Sequence, residues 1–127
     1  PYRRQRQMCI REGYYHATAP ITGINKASLI FNNCDIDVNS TNYSATIIAD
    51  YANVKIYDDA IISNSAGGTA IQLGTTSNLS TLSFTTDGQI GKLSNGVPTT
   101  GIGIYVINGN IGFGRKTTSA YAKAKIQ

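Results

Sequence analysis

The chain has 127 residues, 41% of them hydrophobic, and a formal net charge of +4. That apolar content suffices for one packed domain and excludes wholesale disorder. No apolar run approaches the roughly 20 residues of a membrane-spanning helix. Glu12 is the only Glu, and Ile, Val, Thr and Tyr dominate the ordered-looking segments, so an all-β fold is expected. No signal-peptide pattern is visible, and with Pro1 in first place an internal fragment is expected.

Residues 1–12 read PYRRQRQMCIRE and hold four of the eleven basic residues, one of the two cysteines and the sole Met. Nothing later in the chain has that composition. The string closely resembles the translation of a transposon-end sequencing adapter, a familiar artefact of metagenomic gene prediction. Met8-Cys9-Ile10-Arg11 is the most specific part, and the match stops at Glu12, where the artefact has Asp. A solvated native tail and an Arg-rich arm for nucleic acid or anionic lipid are the competing readings. Excluding the segment as non-native, with residues 1–12 expected to pack against nothing, leaves a net charge of +1, so charge says nothing about partners; no nucleic-acid partner is expected. It also leaves Cys34 as a lone buried thiol, so no disulfide is expected. Residues 13–26 read as an irregular lead-in or a partial rung.

From Ala27 onward the sequence repeats. Ala27–Asn39 aligns with Ala52–Asn64 at an offset of 25, pairing Leu29 with Val54, Phe31 with Ile56, Ile36 with Ile61 and Asn39 with Asn64. Ile47 corresponds to Ile71 at 24, and Ile71 to Ile104 at 33. Val54 and Ile56 correspond to Leu82 and Phe84 at 28, and these to Ile111 and Phe113 at 29. Each period carries three short alternating runs. The first comprises Ala45–Ala49, Thr69–Leu73 and Ile102–Val106. The second comprises Leu29–Phe31, Val54–Ile56, Leu82–Phe84 and Ile111–Phe113. The third comprises Cys34–Val38, Ala60–Ile62, Gln89–Leu93 and Ala120–Ile126. Turn residues separate them at Asn32-Asn33, Asp58-Asp59, Gly67-Gly68, Asp87-Gly88, Asn95-Gly96 and Asn108-Gly109.

Alternation over four to six residues means strands with one buried face. A lone rung can neither bury its inward Ile, Val and Phe nor pair its strand edges, whereas a stacked neighbour does both. The expected fold is a right-handed parallel β-helix of three to four rungs over residues 27–127. A β-sandwich also has evenly spaced strands but no reason to repeat their contents. Leu29, Phe31, Ile36, Ile47, Val54, Ile56, Ile61, Ile71, Leu73, Leu82, Phe84, Ile104, Ile111 and Phe113 are expected inside.

The chemistry-bearing residues are few. Asp35, Asp37, Asp50, Asp58 and Asp59 are the only grouped carboxylates. Asp35 and Asp37 flank inward Ile36, so both should point outward on one strand. Their Cα atoms are then about 6.5–7 Å apart, a spacing compatible with an acid–base pair. They are the only catalytic candidates. The 25-residue register places Ala60 and Ile62 beside them, so no acidic ladder forms, and turn chemistry or solvation is the expected role. His16, beside Tyr14 and Tyr15, is the sole His, which precludes a His-based metal site within the chain. A Ser-His-Asp arrangement is not excluded by counting, but there is no G-x-S-x-G elbow. Gly109–Thr117 superficially resembles a P-loop, yet Arg115 stands where the Lys should follow the second Gly. Outward Tyr57 and Tyr105 could stack on sugar rings. No cofactor and no metal are expected, nor is enzymatic activity.

Gly101-Ile-Gly-Ile-Tyr-Val106, Gly68-Thr-Ala-Ile-Gln-Leu73 and Ala52-Asn-Val-Lys-Ile-Tyr57 resemble the passenger repeats of bacterial autotransporter adhesins. In those repeats a small-residue turn opens a G-x-G-I-Y strand, and N-V-x-I runs begin the next. The resemblance implies an extracellular, outer-surface stalk that adheres to or displays something. Its partner would be a host- or bacterial-surface glycan or protein. Membrane attachment would be only through a barrel absent from this chain. The alternative is a phage tailspike or a polysaccharide lyase or hydrolase of the same fold, with a carbohydrate cleft.

Overall fold

The computed structural model describes residues 5–8, 13–17, 20–57, 60–84, 88–113 and 125–126. Among these residues there is no helix, hence none long and apolar enough to cross a membrane. The strands form three parallel sheets. Sheet A holds β1 (Gln5–Met8), β4 (Ala27–Asn32), β7 (Ala52–Tyr57), β10 (Ser80–Phe84) and β15 (Gly109–Phe113), stacked in that order. Sheet B holds β2 (Gly13–Ala17), β5 (Cys34–Val38), β8 (Ile61–Ser63), β11 (Gln89–Ile90) and β16 (Lys125–Ile126). Sheet C holds β3 (Ile21–Gly23), β6 (Ala45–Ala49), β9 (Thr69–Leu73) and β14 (Ile102–Val106). The chain visits A, B and C in rotation, so each circuit is one turn of a parallel β-solenoid. Three full turns, β4–β6, β7–β9 and β10–β14, are preceded by β1–β3 and followed by β15 and β16.

Sheets A and C keep the register expected from the repeat. Leu29 pairs with Val54 and Phe31 with Ile56; Leu82 and Phe84 continue the columns to Ile111 and Phe113. In sheet C, Ile47, Ile71 and Ile104 stack. Inward side chains from all three sheets form one core that includes Phe31, Ile47, Val54, Ile56, Ile71, Leu73, Leu82 and Phe84, all buried. At ~25 cal/mol per Å² of apolar surface, this column is the main source of stability. Ile104 and Ile111, expected inside, are only partly buried because they lie on the last turns. Phe113 stacks in register on Phe84, and its side chain lies outside the described residues.

Sheet B departs from the expected register by one residue. Ile36 pairs with Ile62, not Ile61, and Ile61 pairs with Asp35. Ile62 is therefore the core residue, and Ile61 is half-buried on the outer face. The cause is corner length. From inward Phe31 the chain reaches inward Ile36 in five steps, with Asn33 in the left-handed region (φ 50°) tightening the turn. From Ile56 to Ile62, and from Phe84 to Ile90, it takes six steps. One extra corner residue inverts the alternation that follows.

The N-terminal part also differs from expectation. Residues 13–26 are not irregular: β2 pairs with β5 and β3 with β6. Within the adapter-like segment, Gln5–Met8 pairs in parallel with Ser28–Phe31. This pairing corrects the expectation that residues 1–12 pack against nothing.

The corner from sheet C to sheet A is fixed by polar groups. The Ser80 hydroxyl accepts from Ala52 N (2.9 Å) and donates to Ala49 O (2.8 Å). Gly74, at φ 81°, lies so close to the next turn that a Cβ there would fall 1.9 Å from Asn108 O. Between β11 and β14 the chain makes an antiparallel hairpin of β12 (Leu93–Ser94) and β13 (Val97–Pro98). Its tip is Asn95-Gly96, both at positive φ, the pair that a tight hairpin turn demands. This excursion accounts for the long offset of 33 between Ile71 and Ile104.

Candidate functional site

The two candidate carboxylates lie on β5, two residues apart, yet the fold places them in different environments. The corner between sheets B and C decides this. There Thr46 Oγ1 on β6 donates to Ser63 O on β8 (2.7 Å). Asp37 lies in that corner and is only 3% exposed, where outward solvation was expected. Its Oδ1 accepts from the Ser63 hydroxyl and from Ser65 N, both at 2.9 Å. Its Oδ2 accepts from the Ser65 hydroxyl at 2.6 Å. Both oxygens therefore hold the turn that follows β8. A buried carboxylate is tolerated only when its lone pairs are occupied in this way.

The same corner continues into the next turn. Asn64 is fully buried; its N donates to Thr100 Oγ1 (3.0 Å) and its Oδ1 accepts from Gly68 N (3.1 Å). Asp37, Asn64 and Thr100 thus tie three successive turns together at one edge.

Asp35 is partly buried and forms an ion pair with Lys92. Lys92 follows β11, so the pair crosses the intervening turn on the outer face. The neighbours of these aspartates on β8 are Ile61 and Ser63, not the expected Ala60 and Ile62. No acidic ladder runs across the turns at this place. Among the described residues no group of three or more His, Cys, Asp or Glu could hold a metal ion.

The register does bring together three residue types that sequence alone leaves apart. His16 pairs with Asp37, and Asp37 with Ser63, in one column of sheet B. The order is His, Asp, Ser. A nucleophilic triad requires the imidazole between hydroxyl and carboxylate. Here the carboxylate strand stands between the other two, and the Ser63 hydroxyl donates to Asp37. The strands of His16 and Ser63 are two ladder spacings apart, about 9.6 Å. The Asp37–Ser63 contact in this column staples two successive turns.

Asp50 plays a turn role: its Oδ1 accepts from Asn78 Nδ2 (3.0 Å). Asp58, Asp59 and the Arg115–Thr117 end of the P-loop-like string lie outside the described residues. Cys34 is disulfide-bonded, which corrects the free thiol expected for it. The sequence holds one other cysteine, Cys9, outside the described residues. Tyr105 is exposed and Tyr57 half-buried on outer faces. Comparison with family models, with curated proteins and with solved structures finds no match.

The sequence reading missed the stapling corner. Ser63-Asn64-Ser65 looks like an ordinary polar turn. The one available signal was that three small polar residues follow the alternating run where sheet B must bend into sheet C.

Proposed function

We propose that the chain is a segment of a structural, adhesive surface stalk: a parallel β-solenoid whose exposed faces meet a glycan or protein partner outside the cell, and not an enzyme. The observation that carries this reading is the fate of Asp37. Both of its oxygens are committed to Ser63 and Ser65 in a buried corner, so it is not free to move a proton at a substrate. Asp35, its only neighbour of the same type on the strand, faces Lys92. Acid–base cleavage of a glycoside needs two carboxyl groups facing one sugar with different proton affinities. A stalk needs what the sequence supplies in quantity: repeated inward aliphatics, polar corners and few charges. The resemblance of Gly101–Val106 and Gly68–Leu73 to autotransporter passenger repeats points the same way.

The test is incubation of the chain with capsular and pectic polysaccharides, following reducing ends and unsaturated products, in parallel with binding of the same panel to immobilised chain. Retention of a glycan or of intact cells without new reducing ends is the expected result. Turnover lost on Asp35→Asn or Asp37→Asn would replace this reading with a tailspike-type or lyase-type enzyme.

A further inference from the structure

The chain contains three Asn-x-Ser/Thr triplets: Asn39-Ser40-Thr41, Asn42-Tyr43-Ser44 and Asn78-Leu79-Ser80. None has Pro in the middle, so each fits the acceptor pattern for N-linked sugar transfer. Transfer needs the Asn amide nitrogen and the hydroxyl two residues on to be open together to one enzyme, which is why acceptors lie on surface loops. The three triplets are alike in sequence, and the fold treats them differently.

Asn78-Leu79-Ser80 is consumed by the solenoid. Asn78 is half-buried, and its Nδ2 donates to Asp50 Oδ1 (3.0 Å). Ser80 is buried, and its hydroxyl accepts from Ala52 N and donates to Ala49 O. Neither group can meet an enzyme unless the corner between two turns opens.

The other two triplets fill the loop 39–44, which joins β5 to β6. Asn39, Thr41, Asn42, Tyr43 and Ser44 are exposed, and Ser40 is half-buried. The loop is held through Ser40 and its backbone. Tyr43 N donates to Ser40 O (3.3 Å), Asn42 N to the Ser40 hydroxyl (3.2 Å), and Ser44 O accepts from Thr69 N of the next turn (2.7 Å). Those bonds leave the acceptor groups alone. Among the described residues nothing bonds to Nδ2 of Asn39 or Asn42, or to the hydroxyl of Thr41 or Ser44. The strands that flank the loop have neighbours on both sides: β5 between β2 and β8, β6 between β3 and β9. The loop is therefore exposed because it projects from a corner in the middle of the stack, and not because it lies at either end.

We propose that the loop 39–44 is an N-glycosylation site. In the folded chain Asn39 and Asn42 accept a sugar from an activated glycosyl donor, and Asn78 does not. The Asn Nδ2 forms a bond to C1 of the sugar and gives up one proton. The bond from C1 to the donor's phosphate oxygen breaks, and its electron pair leaves with the phosphate.

The folded full chain is incubated with a soluble N-glycosyltransferase that recognises Asn-x-Ser/Thr, with UDP-glucose as donor. Labelled sites are then mapped by mass spectrometry. Synthetic peptides of residues 36–47 and 75–83 measure the acceptance of each triplet free of the fold. The expected result is a hexose gained by both peptides and by the 39–44 loop of the folded chain. Asn78 in the folded chain should be labelled at least about tenfold more slowly than in its peptide, because it reacts only from a locally opened state. Thr41→Ala combined with Ser44→Ala, both at exposed positions, should abolish the loop label and leave the circular dichroism spectrum and melting temperature unchanged. The proposal is overturned if the folded loop stays unlabelled while its peptide is accepted. It is equally overturned if Asn78 is labelled as fast in the folded chain as in its peptide, or if the loop label survives the double substitution. The readout is a covalent mass on the chain and not retention of a glycan, so this proposal and the stalk reading can fail separately.

Discussion

β9 and β14 are neighbours in sheet C with the same alternation and opposite fates. Thr69, Ile71 and Leu73 face inward and are buried between β6 and β14. Ile102, Ile104 and Val106 face the same way, one strand further on; Ile102 and Val106 are exposed and Ile104 is half-buried. Composition does not separate them; β14 is the more apolar of the two. What differs is the presence of a strand on each side. In a solenoid, burial is conferred by the next turn, so stability is approximately a sum over turns and their interfaces.

The largest effect should come from the middle of that stack. Ile71→Ala is expected to cost about 3–4 kcal/mol, since the cavity has packed walls on both sides. Ile102→Ala should cost under about 1 kcal/mol, because its side chain already meets solvent. Denaturant unfolding of the two variants measures the difference; equal losses would mean that β14 is covered in solution.

A second contrast concerns two glycines at positive φ. Gly74 (φ 81°) abuts Asn108 O, whereas Gly67 (φ 88°) has nothing within 4 Å of a Cβ position. Gly74→Ala is therefore expected to cost about 2–3 kcal/mol, from left-handed strain together with a clash between turns. Gly67→Ala should cost about 1 kcal/mol from strain alone. Melting temperatures of both variants resolve the two contributions.

The stapled corner offers a third. Asp37→Ala leaves the Ser63 and Ser65 hydroxyls and Ser65 N without their acceptor, with an expected loss of about 2 kcal/mol. The double variant with Ser63→Ala should lose less than the sum of the singles, because the two residues share one hydrogen bond. Strict additivity would show that the corner is solvated. The smallest effect belongs to the outer face. Asp35→Asn removes a partly exposed ion pair with Lys92, for which about 0.5 kcal/mol is expected, decreasing further at high salt.

Much of this architecture was legible in the residues. The inward positions of sheets A and C, their pairing from Leu29 to Ile111 and from Ile47 to Ile104, and the Asn95-Gly96 turn all follow from alternation and turn chemistry. Those signals are local, and a period-2 pattern identifies its own inward face. The register of sheet B was not legible. It depends on whether the corner after β4 and β7 takes five or six steps, and Asn-Asn and Asp-Asp both read as turns without revealing the count. The candidate site followed from that error. Shifting one residue replaces Ile62 by Ser63 beside Asp37 and turns a solvent-facing carboxylate into a buried clasp.

The sequence by itself determined the strands of sheets A and C from Ala27 onward, their inward faces, the repeat and hence a solenoid, because those depend on side-chain period and on small polar residues at the corners. The tertiary structure alone decided two matters: which residue of β8 stacks on Ile36, and that Asp37 is enclosed at the corner between sheets B and C. Each depends on how one turn is set upon the next. That setting is fixed by corner geometry and by which neighbouring strands are present, quantities that no single strand encodes.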